Sequence, residues 1–305
     1  MKVYTLTLNP AYDVHADCSA LAVGKENFVS ILRRDAGGKG INISRALQVG
    51  RQPYEALVVL GKDNGEEFKK QLGLFGVNAV CLETAGRIRE NLTIHHDGME
   101  TRISFSGFAV DENMLALIAE RIAGDEETVL TFTGSLPKGV SKEAAKAFLK
   151  ELKNRGVRIA LDCRSFDLAD IQEISPWLVK PNRQEASQWF GDEITSLEEA
   201  VKYARKLHDM GVENAFISMD AQGSVLVCDR ALKASVPCIV PVSTIGAGDS
   251  TIAGFLTAKG KGLSVEQCLS TAVAFGTAAC LTEGTNPPSM CDIMGLLPKI
   301  EVAEI

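Results

Sequence analysis

Short apolar runs rich in β-branched residues alternate along this chain with amphipathic stretches of helical length, and few folds accept that alternation. The runs fall at 3–8, 54–60, 77–82, 128–133, 157–162, 178–180 and 215–219. Helical patterns lie between them at 39–49, 66–75, 114–123, 142–155, 183–190 and 197–210. Ser196, with Glu199 three residues on, spells a capping box at the start of the last of these. A strand that is apolar along its whole length has no face to offer water. The pattern therefore predicts an α/β fold, a mainly parallel sheet with helices on both faces. From about Leu232 the chain reads as one short strand, the loop Thr244–Asp249, and helices near 250–258 and 265–281 packed on one flank.

Two stretches, 12–35 and 88–107, break the rhythm. Leu92-Thr93-Ile94-His95-His96 and Thr101-Arg102-Ile103-Ser104-Phe105 alternate with a period of two, the mark of half-exposed strands. They are expected to leave the main sheet and pair into a second, smaller one that covers one end of the domain; two separate surface hairpins are the alternative. No internal repeat or linker-like tract interrupts the chain, so 1–305 reads as a single domain.

Composition narrows the function classes. A net charge of −7 without a basic cluster beyond pairs such as Arg33-Arg34 argues against nucleic acid as a partner. No apolar run reaches the length of a membrane span, and Met1–Leu8 reads as a strand rather than a leader. The eight cysteines are dispersed without a CxxC pair, as expected of reduced, buried thiols, and the four histidines show no metal spacing. A cytoplasmic enzyme without zinc is the expectation.

The strongest local signal is Thr244-Ile245-Gly246-Ala247-Gly248-Asp249-Ser250 at the start of a helix. Small residues there leave the first N–H groups open, and with the helix dipole these suit an anion. An aspartate inside that nest competes with the anion unless it takes a proton from a hydroxyl while the N–H groups hold a phosphoryl group in transfer. Asp249 as a favourable first-turn acid is the plainer alternative. Ala36-Gly37-Gly38-Lys39-Gly40-Ile41-Asn42 opens another helix but lacks the spacing of a P-loop. It suits a tight turn, or a polyol site with an ammonium beside it. In Lys180-Pro181-Asn182-Arg183-Gln184-Glu185, Asn182 and Glu185 are either a helix cap with its reciprocal carboxylate or magnesium contacts near nucleotide phosphates. Thr133-Gly134-Ser135-Leu136-Pro137 follows a predicted strand, where parallel sheets bind ligands.

Taken together, these motifs resemble the PfkB (ribokinase-like) carbohydrate kinases over essentially the whole chain. The branch containing 1-phosphofructokinase and tagatose-6-phosphate kinase is the nearest in pattern. The resemblance rests on Leu8-Asn9-Pro10-Ala11-Tyr12-Asp13, Gly37–Asn42, Gly134-Ser135-Leu136-Pro137, Lys180-Pro181-Asn182 with Glu185, and Ile245–Ser250. It implies a three-layer α/β/α sandwich with a small β-lid, and a kinase using ATP and Mg²⁺ on a ketohexose monophosphate. Dependence on a monovalent cation stays open. By the same resemblance Asp249 is the general base, and Gly246, Ala247 and Gly248 form the anion hole. Asp13, Gly38, Lys39, Asn42, Arg89, Asn91 and Arg102 meet the acceptor. Asn182 and Glu185 serve magnesium, directly or through water, and Ser218, Gly223 and Ala274 the nucleotide.

The chain also departs from the branch. Phe28 stands where the branch has Arg, Thr93 where it has Lys, Arg102 for Glu, Ser104 for Asn, Asp220 for Gly, and Arg164-Ser165 for Ser-Gly. Most of these changes fall in the lid stretches and spare the phosphoryl-transfer motifs. The acceptor is therefore where a difference is expected: an unphosphorylated sugar, a sugar acid or a nucleoside is the alternative substrate. A sugar-sensing protein that has lost catalysis is the alternative of another class. Exposed edges in the lid strands make a homodimer through the lid a further expectation.

Overall fold

The computed structural model describes residues 1–305. In chain order the first elements are β1 (Lys2–Thr7), β2 (Ala11–Asp17), β3 (Ser30–Gly37), α1 (Lys39–Gly50), β4 (Tyr54–Gly61), α2 (Gly65–Leu74) and β5 (Ala79–Thr84). Then come β6 (Arg89–His96), β7 (Met99–Ser104), α3 (Asn113–Arg121), β8 (Thr128–Gly134), α4 (Lys142–Asn154), β9 (Arg158–Cys163), α5 (Leu168–Ile174) and β10 (Leu178–Val179). The last are α6 (Arg183–Phe190), α7 (Leu197–Asp209), β11 (Asn214–Ser218), β12 (Ser224–Val227), β13 (Ala231–Ala234), α8 (Ala247–Gly260), α9 (Val265–Ala279), α10 (Met290–Leu296) and β14 (Val302–Glu304).

The large sheet has the order β5-β4-β1-β8-β9-β10-β11-β12-β13-β14. From β5 to β11 all pairings are parallel, and β12 to β14 add an antiparallel edge. The strand period of two divides its side chains between two cores. Tyr4 and Leu6, Leu130 and Phe132, Ala215 and Ile217 point into a core closed by α2 to α7. Val3, Val129 and Phe216 point into the other, closed by α1, α8 and α9. Both faces are therefore buried, as the continuous apolar runs require. β12, β14, α5 and α10 have no counterpart among the expected elements. They are short, and a three- or four-residue strand carries too little period to stand out.

The strands β3-β2-β6-β7 form a second sheet within the stretches 12–35 and 88–107. β2 and β6 run parallel, while β6 and β7 form a hairpin turned by Asp97 and Gly98, both at positive φ, as a type I′ turn requires. On one face Tyr12 sinks into the large core edge-on to Phe68 at 5.1 Å. On the other, Asp13 and Asn91 stand in register.

β1 has β4 on one side and β8 on the other, so the sheet order reverses there and leaves a crevice beyond the carboxyl ends of β1 and β8. Gly40 seats α1 against that end: a Cβ would stand 2.6 Å from the Leu6 carbonyl oxygen. α8 and α9 are drawn equally close by Gly254, where a Cβ would meet the Phe275 side chain and the Thr271 carbonyl, each at 2.8 Å.

Candidate active site

The crevice is the floor of a cavity of about 980 Å³, roomy enough for two substrates. α8 points into it end-on. Gly246 at its N-cap has a φ of 80°, a conformation glycine adopts without strain, and no side chain caps the helix. The first-turn N–H groups, which lack intrahelical acceptors, face the cavity with the positive end of the helix dipole. Lys180, buried at the end of β10, lies against this turn; a Cβ on Gly248 would stand 3.1 Å from its Nζ.

Asp249 is 5% exposed, and its Oδ2 accepts from Asn42 Nδ2 at 2.9 Å. Five carboxylates line the cavity, and four have a basic partner. Asp162 accepts from Lys39 at 2.9 Å, Glu185 from Arg164 at 2.8 Å, Asp220 from Arg183 at 3.3 Å and Asp13 from Arg102 at 3.5 Å. Asp249 alone has none. Burial pushes its carboxyl up to about 6; Lys39 opposes the rise, Asp162 adds to it, and the Asn42 bond and Lys180 hold it back. Asp162 is shifted the other way. Burial disfavours its charge, but Lys39, Lys180 and Arg164 outweigh burial and hold the carboxyl below its usual range.

Asn91 Nδ2 donates to Asp13 Oδ1 at 2.9 Å across the β2–β6 pair, while Asp13 fills the space left by Gly37. Arg102 pairs directly across from Thr93, so the charge absent at 93 stands on the neighbouring strand. Arg89 lines the same wall, and its buried Nε has no partner in the protein. Asn182 caps α6 through its side chain, which accepts from the Glu185 N–H at 2.8 Å; Glu185 Oε2 accepts from the Asn182 N–H at 3.0 Å. The cap and the cavity position thus coexist, because α6 starts at the cavity wall.

All the residues singled out from the sequence line this cavity except Gly223 and Ala274. Gly223 lies behind the wall, where its φ of 131° and the Ala234 carbonyl, 2.4 Å from any Cβ, admit only glycine. Ala274 faces Phe275 and Ala278 in a separate apolar cluster. The helical period instead turns Val273, Gly276 and Thr277 of α9 to the cavity. Asp162 does not figure in the sequence motifs, and Lys180 and Arg164 figure there without a role of their own. Their signal was position, since each stands at or just past the carboxyl end of a strand of the parallel sheet.

The Asp249 carboxyl has a consequence for stability. Its pKa is near 6 in the folded chain against an ordinary 3.8, so folding favours its neutral form. That contribution is complete below pH ~4 and is lost as the pH rises through ~6. Asp249→Asn should therefore stabilise the fold at pH 8 by something on the order of 2 kcal/mol and do much less at pH 4. Urea unfolding at both pH values checks this; equal effects at the two would count against a strained buried charge.

The model of the pfkB family carbohydrate kinases matches residues 7–290. The 1-phosphofructokinase of Bacillus subtilis is 32% identical over 305 residues, covering 99% of this chain and all of that protein. The 1-phosphofructokinase of Escherichia coli K12 is 32% identical over 306 residues, covering 99% and 98%. Among solved structures, Escherichia coli phosphofructokinase-2 in complex with fructose-6-phosphate superposes with a TM-score of 0.89 at 25% identity, covering 98% of each chain. With domain, motifs and fold in agreement, the chain belongs to the pfkB family and is an ATP-dependent carbohydrate kinase.

Proposed function

We propose that the protein transfers the γ-phosphoryl group of ATP to a free hydroxyl of a ketohexose monophosphate, with Asp249 as general base. The observation that carries this reading is the isolation of Asp249, a buried carboxylate without a cation, set in the open N-terminus of α8. With a pKa near 6 it is ionised at neutral pH yet basic enough to accept a hydroxyl proton. The N–H groups at Gly246, Ala247 and Gly248 take the charge that develops on the transferring group, and Lys39 and Lys180 flank them. Asp13, steadied by Asn91, orients the acceptor from the smaller sheet. We read 1–305 as one kinase domain in which that sheet is a lid whose closure excludes water.

Asn182, Asp162 and Glu185 are the groups that would serve magnesium. The two carboxylates hold Lys39 and Arg164, so a divalent ion there would meet carboxylates that already have basic partners. Such an ion would supply charge neutralisation on the phosphates.

The test is ADP release with magnesium-ATP across fructose 1-phosphate, fructose 6-phosphate, tagatose 6-phosphate, the free sugars, a sugar acid and a nucleoside. A phosphorylated ketohexose should be preferred, and Asp249→Asn should lower turnover by ~10² or more while ATP affinity holds. Activity confined to unphosphorylated acceptors would overturn the substrate assignment, and an active Asp249→Asn protein the base.

Arg89 and Arg102 face a single carboxylate, Asp13, which leaves positive charge for an acceptor phosphate. Arg89→Ala should raise KM for the phosphorylated acceptor roughly 10- to 100-fold, the worth of a charged hydrogen bond, and barely change it for the free sugar. Equal losses in the two titrations would remove Arg89 from phosphate recognition.

The outer part of the smaller sheet exposes Phe28, Ile31, Leu32, Met99, Ile103 and Phe105. We propose that a second copy of the chain covers this apolar surface. Sedimentation at micromolar concentration should give a dimer that Leu32→Asp dissociates; a wild-type monomer would exclude it.

A further inference from the structure

Arg164 is a departure from the branch, and the phosphoryl-transfer motifs do not account for it. It follows β9 by one residue, with a side chain 72% exposed, yet its Nε is spent on Glu185 Oε1 at 2.8 Å. The second oxygen of Glu185 is held by the Asn182 N–H, so the carboxylate has no oxygen free of a partner. Lys39 occupies Asp162 in the same way, but Lys39 is partly buried and anchored at the start of α1. Arg164 is tethered only through its own flexible stem. On its far side is a smaller cavity of about 160 Å³ that shares Asp162, Asn182 and Glu185 with the main one. Arg164 and Glu185 both line the two cavities, so the guanidinium has open space beside it on either side of the pair.

A guanidinium and a hydrated divalent cation compete for one carboxylate, since they repel each other and draw on the same single negative charge. We propose that Arg164 is an ionic latch on Glu185, a resident cation that competes with the divalent ion for that carboxylate. It rests on the reading that Glu185 faces the nucleotide's metal. With the cavity empty of nucleotide the latch is closed, and free divalent ions meet a carboxylate already neutralised. Nucleotide phosphates oppose this, because they attract Arg164 away from Glu185 while bringing a divalent ion to replace it. The metal is thereby taken up with the nucleotide rather than ahead of it. A small neutral residue at 164, as in the branch, has no such effect.

The experiment is binding of Mn²⁺ alone to the nucleotide-free protein, read by electron paramagnetic resonance. Arg164→Ser should bind Mn²⁺ about fivefold more tightly than wild type, the upper range for a partly exposed ion pair. Arg164→Lys, which keeps a cation, should stay near wild type, and Arg164→Ser/Glu185→Gln should lose the gain. Identical Mn²⁺ affinity in wild type and Arg164→Ser would overturn the latch, as would a gain that survives in the double variant. The reading beneath it fails separately. If Glu185→Gln alone leaves the magnesium dependence of turnover unchanged, Glu185 does not serve the metal at all. If that dependence shifts while Arg164→Ser binds Mn²⁺ like wild type, only the latch is lost.

Discussion

A carboxylate buried without a cation is costly, and the site is organised around the one it keeps. Asp249 could be relieved by Lys39, but Lys39 is committed to Asp162, and Lys180 lies against the helix turn. What Asp249 has instead is an amide from Asn42 and the open end of α8. Burial raises its pKa, and the nearby Lys39 charge, with the Asn42 bond and Lys180, holds it near 6 rather than higher. A lysine on Asp249 would lower the pKa and make a weaker base; removing Lys39 and Asn42 would raise it and leave the carboxyl protonated at neutral pH. The two cations are thus placed to lower the pKa of this carboxyl without pairing with it. That placement depends on Gly40 and Gly248, which let α1 and Lys180 approach β1 and α8 without a Cβ between them.

The fold was legible in the sequence because burial on both faces leaves a mark on every residue of a strand. The runs at 3–8, 54–60 and 128–133 match β1, β4 and β8 to within a residue. The antiparallel edge was not legible, since Ser224–Val227 and Val302–Glu304 are too short to show a period. Within the site, glycine clusters and caps could be read because they act on their own neighbours in sequence. The pairs that set the charges could not. Lys39 and Asp162 are separated by 123 residues, and Asn42 and Asp249 by 207. Only topology brings them together, by placing the ends of β9, α1 and α8 around one crevice. Ala274 shows the same limit at shorter range. The correct helix was identified, but its phase was off by one residue, and one residue is 100° of rotation.

The lid substitutions read differently once the register is known. Thr93 and Arg102 are a directly opposed pair on β6 and β7, so the loss of a lysine at one and the gain of an arginine at the other are a single change. Where the branch pattern opposes Lys to Glu, this pair opposes Thr to Arg. The balance moves from neutral to positive at the wall that holds Asp13 and Arg89. A wall that becomes more positive while keeping Asp13 for hydroxyls is a poor fit to a neutral sugar and a better one to an anionic sugar. The departures therefore argue for a phosphorylated acceptor, against the first impression that a changed lid means a changed substrate class.

Arg164 and Asp220 extend this reasoning to the donor side. Each brings a charge to a position where the branch has a small residue, and each charge is matched at once, Arg164 by Glu185 and Asp220 by Arg183. Asp220 also holds a φ of 52°, a conformation glycine would adopt at less cost and one that aspartate tolerates better than most side chains. The two pairs flank Asn182 and the start of α6, so this end of the cavity is lined by internal salt bridges instead of free carboxylates. Ligand binding there is an exchange of partners. On the proposed latch, phosphates would take the basic side chains and free the carboxylates for a metal that arrives with them. An exchange conserves the number of ion pairs, so the penalty of desolvating charges is met mostly before the nucleotide binds. Binding energy is then left for positioning the transferred group, which on the proposed mechanism lies between the open end of α8 and Asp249.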